Sequence, residues 1–245
     1  MTKTTELPDA FLFDLDGVLT PTLDAHKRAW HALFDAVLPS TVAPYGDDDY
    51  TQLVDGRPRY DGVRNVLASR GIDLPEGTPD DAPDAQTICG LGNRKDALFN
   101  AELAQGMAPY PGSLAFLESV DATCAVAVVS SSRNARAVLA AAGLADRFSI
   151  VVDGVVASEH HLAGKPAPDT YLYAAQQLGV APVRAAVVED AIGGVEAGAA
   201  GGFGLVIGVD RGAGRDALRQ HGASIVVDDL AELVPWPTPL DRGER

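Results

Sequence analysis

The sequence predicts an α/β fold: a parallel sheet core with a helical domain inserted after the first strand. Three observations carry this. An apolar run of strand length, residues 10–13, leads straight into Asp14-Leu15-Asp16-Gly17, as a fully buried parallel strand does before it turns. Beyond Pro109-Tyr110-Pro111-Gly112, short β-branched runs alternate with amphipathic stretches, the pattern of a parallel sheet. Roughly a hundred residues separate the first run from the second, whereas a βα crossover needs about a dozen or somewhat more. A single helical connection of that length would leave several apolar faces with nothing to bury against. The sequence therefore divides into a core of residues 1–20 and 109–245 and a helical cap of residues 21–108 over the end of the first strand.

In chain order, residues 23–38 read as a helix, with Trp30, Leu33, Phe34 and Val37 on one face. Residues 60–70 repeat the pattern through Val63, Val66 and Leu67, and Gly71 supplies a stop. Residues 75–85 hold three prolines and four acids, so they form neither helix nor strand and read as a long acidic loop. A further helix is expected over 94–105. In the core, strands are expected at 125–129, 149–152, 186–188, 205–209 and 225–227, with helices at 113–120, 135–142, 169–178, 194–200 and 215–220. The proline-rich tail from 235 onward reads as extended and frayed.

Composition narrows the function. A net charge of −15 argues against nucleic acid or an anionic membrane as partner. It leaves room for a phosphorylated substrate held by locally gathered cations. Cys89 and Cys124 have no metal-ligand spacing, so reduced thiols in a cytoplasmic setting are expected. The opening residues contain no apolar signal segment, and the most apolar later stretch, 197–209, is too short to span a bilayer.

Four stretches carry candidate chemistry. Side chains alternate along a strand, so Asp14 and Asp16 leave on one side while Leu15 returns to the core. In open α/β sheets ligands bind beyond the carboxyl ends of strands, where strand order reverses. Ser130-Ser131-Ser132-Arg133-Asn134 follows the second core strand and opens a helix, which reads as an anion site or simply as a cap. Lys165 stands between Gly164 and two nearby prolines, a stiff frame for a cation. Glu189-Asp190 then repeats the acids-after-strand pattern before a glycine-rich helix start. Acids gathered in one crevice repel unless a cation intervenes, and an all-oxygen donor set points to Mg²⁺.

In order and spacing, D-L-D-G-V-L-T, the serine-rich turn, Lys165-Pro166 and Glu189-Asp190 resemble the four motifs of the haloacid dehalogenase superfamily. The resemblance spans the core and implies a Rossmann-like parallel sheet with a cap inserted after the first strand. It implies Asp14 as a nucleophile that forms an aspartyl-phosphate and Asp16 as general acid and base. It further implies Mg²⁺ held by Asp14, the Asp16 backbone carbonyl, Glu189 and Asp190. Ser130 and Lys165 would hold the phosphoryl oxygens, with Ser131 and Asn134 nearby.

The cap resembles the β-phosphoglucomutase branch at three places. Thr22-Leu23-Asp24-Ala25-His26-Lys27-Arg28-Ala29-Trp30 matches its first cap helix, Val54-Asp55-Gly56-Arg57-Pro58-Arg59 its cap loop, and Asn93-Arg94-Lys95-Asp96 a later motif. This implies that His26 orients Asp16, that Gly56 approaches the sugar phosphate, and that Arg59 and Lys95 bind the distal phosphate. Trp30 reads equally as core. Asp55 stands where the mutases carry Lys, and Pro21 replaces the usual acid after the D-G-V-L-T run. Both departures weigh against strict mutase activity.

The expected function is thus an Mg²⁺-dependent phosphohydrolase acting on a small sugar phosphate, as a monomer or homodimer. The alternative is a β-phosphoglucomutase, with the aspartyl-phosphate passed to a sugar hydroxyl instead of water. A non-enzymatic phospho-accepting switch is a third reading, although Arg59 and Lys95 would then have no purpose. A metal-dependent sugar-nucleotide transferase using D-x-D is more distant still, since it leaves Ser130 and Lys165 unexplained.

Overall fold

A computed structural model describes residues 7–54, 57, 59–120 and 123–237. The chain divides into two compact units, residues 1–21 with 107–245, and residues 22–106.

The first unit is built on a six-stranded parallel sheet, confirming the expected α/β core. Its strands are β1 (Ala10–Phe13), β2 (Ala125–Val129), β3 (Ile150–Val152), β4 (Ala185–Glu189), β5 (Leu205–Val209) and β6 (Ile225–Val227), ordered β3-β2-β1-β4-β5-β6. β1 pairs with β2 on one side and β4 on the other, Phe13 standing opposite Val128 and Val188. The chain winds outward from β1 through β2 to β3, then returns to lay β4 on β1's free edge. The order therefore reverses between β1 and β4, and the loops leaving those two strands diverge to open a crevice.

Period-two alternation assigns β1 to both halves of the core. Ala10 and Leu12 face a cluster with Tyr171, Ala174 and Val187. Phe11 and Phe13 enter an aromatic cluster in which Phe116 stands edge-on to Phe11 at 5.5 Å. Phe116 lies on a helix, Pro111–Val120, and Tyr171 on another, Asp169–Leu178.

The second unit holds three longer helices, α1 (Thr22–Val37), α3 (Arg59–Ser69) and α4 (Ile88–Leu103), with a short turn of helix, α2 (Asp47–Asp49), running into a π-turn over Tyr50–Val54. Trp30, Leu33, Phe34, Val63, Val66 and Leu91 form its core. Trp30 is 4% exposed and stacks on Phe34 at 5.6 Å, so it belongs to the packing. The remaining helices are α5 (Pro111–Val120), α6 (Ala135–Ala141), α7 (Gly154–Glu159), α8 (Asp169–Leu178), α9 (Ile192–Ala200) and α10 (Arg215–Gln220).

Two local features differ from expectation and a third adds to it. α4 starts at Ile88 rather than 94, because Thr87 caps it by accepting the Gly90 N–H at 2.9 Å. Its glycines, poor helix formers in isolation, are required here: a Cβ on Gly92 would strike the Tyr60 ring. α7 was not expected; Asp153 starts it by accepting the Val155 and Val156 N–H groups at 2.9 Å each. The acidic loop 75–85 is neither helix nor strand, as expected, yet it is tied down. Asn93 donates its side-chain amide to the Pro79 and Asp81 carbonyls, and Asp81 accepts from Thr78 and Thr87.

The tail from 235 corrects the expectation of fraying in its described part. Trp236 stands edge-on to Phe11 at 5.4 Å and to Phe116 at 5.6 Å, completing the aromatic cluster on that face of β1. Trp236→Ala is therefore expected to lower stability by about 2 kcal/mol in urea denaturation, below the full-core range because the ring is only half-buried; an unchanged midpoint would show that the contact contributes nothing.

Candidate active site

The ends of β1, β2 and β4 and the segment before α8 bring their candidate residues to one edge of the sheet. Asp14, one residue past β1, is 7% exposed, and its N–H continues the ladder to the Val188 carbonyl at 2.9 Å. Lys165 Nζ donates to Asp14 Oδ1, lies 2.6 Å from Glu189 Oε1, and donates to the Val129 carbonyl at 3.1 Å. One ammonium thus joins acids from β1 and β4 to the end of β2. Burial works against the ammonium, but Asp14 and Glu189 outweigh it and raise the Lys165 pKa above its ordinary value.

Glu189, the last residue of β4, is 1% exposed. Its Oε1 also accepts the Tyr171 hydroxyl at 2.8 Å, and its Oε2 accepts the N–H groups of Asp190 and Ala191 at 3.2 and 3.3 Å. Carboxylate oxygens of Asp14, Glu189 and Asp190 lie within 4.8 Å of one another. Burial pushes the Asp14 carboxyl well up; Lys165 pulls against this, and Glu189, Asp16 and Asp190 add to it. The Asp190 carboxyl is pushed up to about 7 by burial and by Glu189. One lysine does not balance these acids. An all-oxygen, charge-deficient cluster fits a hard divalent cation such as Mg²⁺.

Two glycines make this crowding possible. Gly17 has φ +86°, and a Cβ there would overlap the Asp190 carboxylate. A Cβ on Gly194, in the first turn of α9, would overlap Glu189.

Asp16 Oδ2 accepts the Ser130 hydroxyl at 3.2 Å, and Ser130 Oγ in turn accepts the Ser132 N–H at 3.1 Å. Ser132 Oγ accepts the Asn134 N–H. Asn134 occupies the N-cap position of α6 without a side-chain capping bond, and Ser131 is exposed. The capping reading of this turn is therefore not what the structure shows for Asn134.

In the helical unit His26 and Lys95 come together. Lys95 is 5% exposed, and its ammonium donates to His26 Nδ1 at 2.6 Å, which leaves the ring hydrogen on Nε2. The His26 ring stacks on Phe99 at 4.0 Å, and the Lys95 ammonium lies over Trp30 and Phe99 at 5.3 and 4.8 Å. Burial, then Lys95, lowers the His26 pKa to about 3. Arg59 is placed differently. It pairs with Asp96 at 3.2 Å and donates to Asn93 Oδ1 and Tyr60 Oη at 3.1 Å each. Gly56 lies outside the described residues.

Three contributors escaped the sequence reading. Tyr171 read only as an apolar helix position, although a buried tyrosine hydroxyl needs a partner. Arg211, after β5, donates Nε–H to the Gly17 carbonyl at 3.1 Å and stacks on Tyr110 at 4.0 Å. Asn93, which the sequence offers only as part of the motif around Lys95, fastens the acidic loop and Arg59.

A family model for haloacid dehalogenase-like hydrolases matches residues 8–202. Over 240 residues the chain is 51% identical to β-phosphoglucomutase of Mycobacterium tuberculosis strain CDC 1551, covering 92% of this chain and 91% of that one. It is 30% identical to fructose-1-phosphate phosphatase of Escherichia coli, covering 80% and 93%. The solved structure of CbbY from Rhodobacter sphaeroides with xylulose-1,5-bisphosphate superposes with a TM-score of 0.71 at 25% identity, covering 93% and 97%. The chain belongs to the haloacid dehalogenase-like hydrolase family and is an enzyme of its β-phosphoglucomutase-like, phosphatase and phosphomutase branch. Among the described residues, no helix is long and apolar enough to cross a membrane.

Two outcomes test these electrostatics. A carboxyl raised in the folded state stabilises while protonated and loses that contribution as pH climbs through its folded pKa. In EDTA, Asp190→Asn should therefore melt above wild type at pH 8, with the advantage gone near pH 4; a pH-independent difference would contradict the shift. By NMR, the His26 ring should remain neutral from pH 5 to 8, and Lys95→Met should move its titration upward.

Proposed function

We propose that this enzyme transfers a phosphoryl group of a small sugar phosphate by way of Asp14, and that it does so as a β-phosphoglucomutase. The observation that carries phosphoryl transfer is the Lys165 ammonium set between Asp14 and Glu189. A carboxylate attacks a phosphate poorly because both are anionic, so a fixed cation at the nucleophile lowers that electrostatic barrier.

An Asp14 oxygen forms a bond to phosphorus while the bond from phosphorus to the sugar oxygen breaks, leaving an aspartyl-phosphate. Asp16 gives a proton to the departing sugar oxygen. In the second half it takes the proton of the incoming hydroxyl, which attacks phosphorus and frees Asp14. Ser130, which already donates to Asp16, and Lys165 hold the equatorial oxygens, with Ser131 and Asn134 beside them. Asp14, the Asp16 backbone carbonyl, Glu189 and Asp190 would hold Mg²⁺, which would supply positive charge against the phosphoryl oxygens.

His26 is assigned the orientation of Asp16, with a neutral ring that offers Nε2–H as donor. Lys95 is assigned the distal phosphate, joined by Arg59 once Asp96 yields it. Identity of 51% across both units of the chain supports the mutase over the hydrolase. Phosphatase activity is the second reading, supported by the sugar-phosphate phosphatase at 30% identity and by Pro21 and Asp55 in the sequence.

β-Glucose 1-phosphate with a trace of the 1,6-bisphosphate separates the two: the mutase yields glucose 6-phosphate, whereas free phosphate without it selects the hydrolase. Asp14→Asn should abolish either activity with the fold intact, and residual turnover would contradict the nucleophile. Asp16→Asn should slow transfer by roughly 10²–10⁴-fold, read as kcat.

A further inference from the structure

Tyr171 touches both Lys165 and Glu189 yet has no part in the chemistry proposed above. It is fully buried on α8, its hydroxyl donates to Glu189 Oε1 at 2.8 Å, and its ring lies 5.1 Å beneath the Lys165 ammonium. The Glu189 carboxylate receives four donors in this structure. Oε2 takes two backbone N–H groups, while Oε1 is shared between the Tyr171 hydroxyl and the Lys165 ammonium. An oxygen with two lone pairs is then fully engaged. For Oε1 to meet a cation, one of its two donors must give way.

Lys165 is the one free to do so. Its ammonium ends a flexible four-carbon stem and has Asp14 and the Val129 carbonyl as other partners. The Tyr171 ring is packed among Leu12, Val129 and Val187, and its hydroxyl cannot follow a moving carboxylate. Removing that hydroxyl would leave a nearly inaccessible carboxylate with one lasting donor fewer on Oε1, no longer held in its position beside Asp14 and Asp190.

We propose that Tyr171 is a positioning residue of the cation site, its hydroxyl holding Glu189 Oε1 in place when Lys165 turns from Glu189 toward the phosphoryl group. The proposal rests on the reading that Glu189 is a Mg²⁺ ligand. Partners behind metal ligands typically contribute about 10–100-fold in metal affinity.

The test uses the full chain as wild type, Tyr171→Phe, Glu189→Gln and the double variant, titrated with Mg²⁺ by calorimetry and melted with and without it. Tyr171→Phe is expected to raise the Mg²⁺ dissociation constant roughly tenfold and to shrink the Mg²⁺-induced rise in Tm, whereas a purely structural hydroxyl would lower Tm and leave that rise unchanged. In the Glu189→Gln background the same substitution should have almost no further effect. Mg²⁺ binding by Tyr171→Phe equal to wild type, or two independent losses that multiply, would overturn the proposal. Absence of Mg²⁺ binding in wild type would overturn it by a different route, because the cation reading itself would then have failed. Should Tyr171→Phe not fold, a ring-fluorinated tyrosine at 171 replaces it: its ¹⁹F resonance should shift on Mg²⁺ addition, and a stationary resonance at saturation would overturn the proposal.

Discussion

The site depends on one ion-paired lysine. Asp14 and Glu189 come from neighbouring strands that share a ladder, so their carboxylates would face each other across a nearly dry crevice. A buried acid without a partner is costly, and two adjacent ones are worse. Lys165 reduces that repulsion from between them. It does not remove it, because Asp190 completes a cluster with more negative than positive charge. The residual imbalance ties folding to chemistry: the same crowding of carboxylates that Lys165 only partly offsets is a donor set that suits a divalent cation.

Everything else about the sheet brings these groups together. β1 lies between β2 and β4, so one apolar strand supplies packing to both faces and ends at the reversal of strand order. Small residues then allow the acids to close in. Gly17 takes a backbone conformation that side-chain-bearing residues rarely adopt, and Asp190 fills the space that a Cβ would occupy. Arg211 holds the carbonyl of that same glycine from the end of β5, so the turn bearing Asp16 is fastened from a strand outside the chemistry.

The parts of this architecture visible in the sequence were those where residue type and spacing coincide. The apolar run before Asp14, the β-branched strands and the acids after β4 each announce themselves within a few residues. The long interval before β2 pointed to an inserted helical unit, because a single helical connection would leave apolar faces unburied. What stayed hidden depended on contacts between distant positions. Tyr171 fits an apolar stripe whether or not its hydroxyl meets Glu189. Asn93 stands in the motif around Lys95 with no role of its own until the carbonyls of Pro79 and Asp81 arrive beside it. Trp236 sits in a proline-rich stretch that local rules leave extended, and only tertiary packing against Phe11 gives it a place. Arg59 shows the opposite case, where a motif suggested a waiting cation and the fold supplied Asp96.

The seating of Trp236 on Phe11 also bears on how the chain is made. The pairing joins positions more than two hundred residues apart, and β1 gains its second neighbour only when β4 has been synthesised. During translation the first strand must therefore wait, apolar and half-paired, while residues 22–106 can settle into their own helical core early. Ribosome-bound chains truncated before residue 185 would carry a folded helical unit beside an open sheet edge, the species with most reason to need a chaperone.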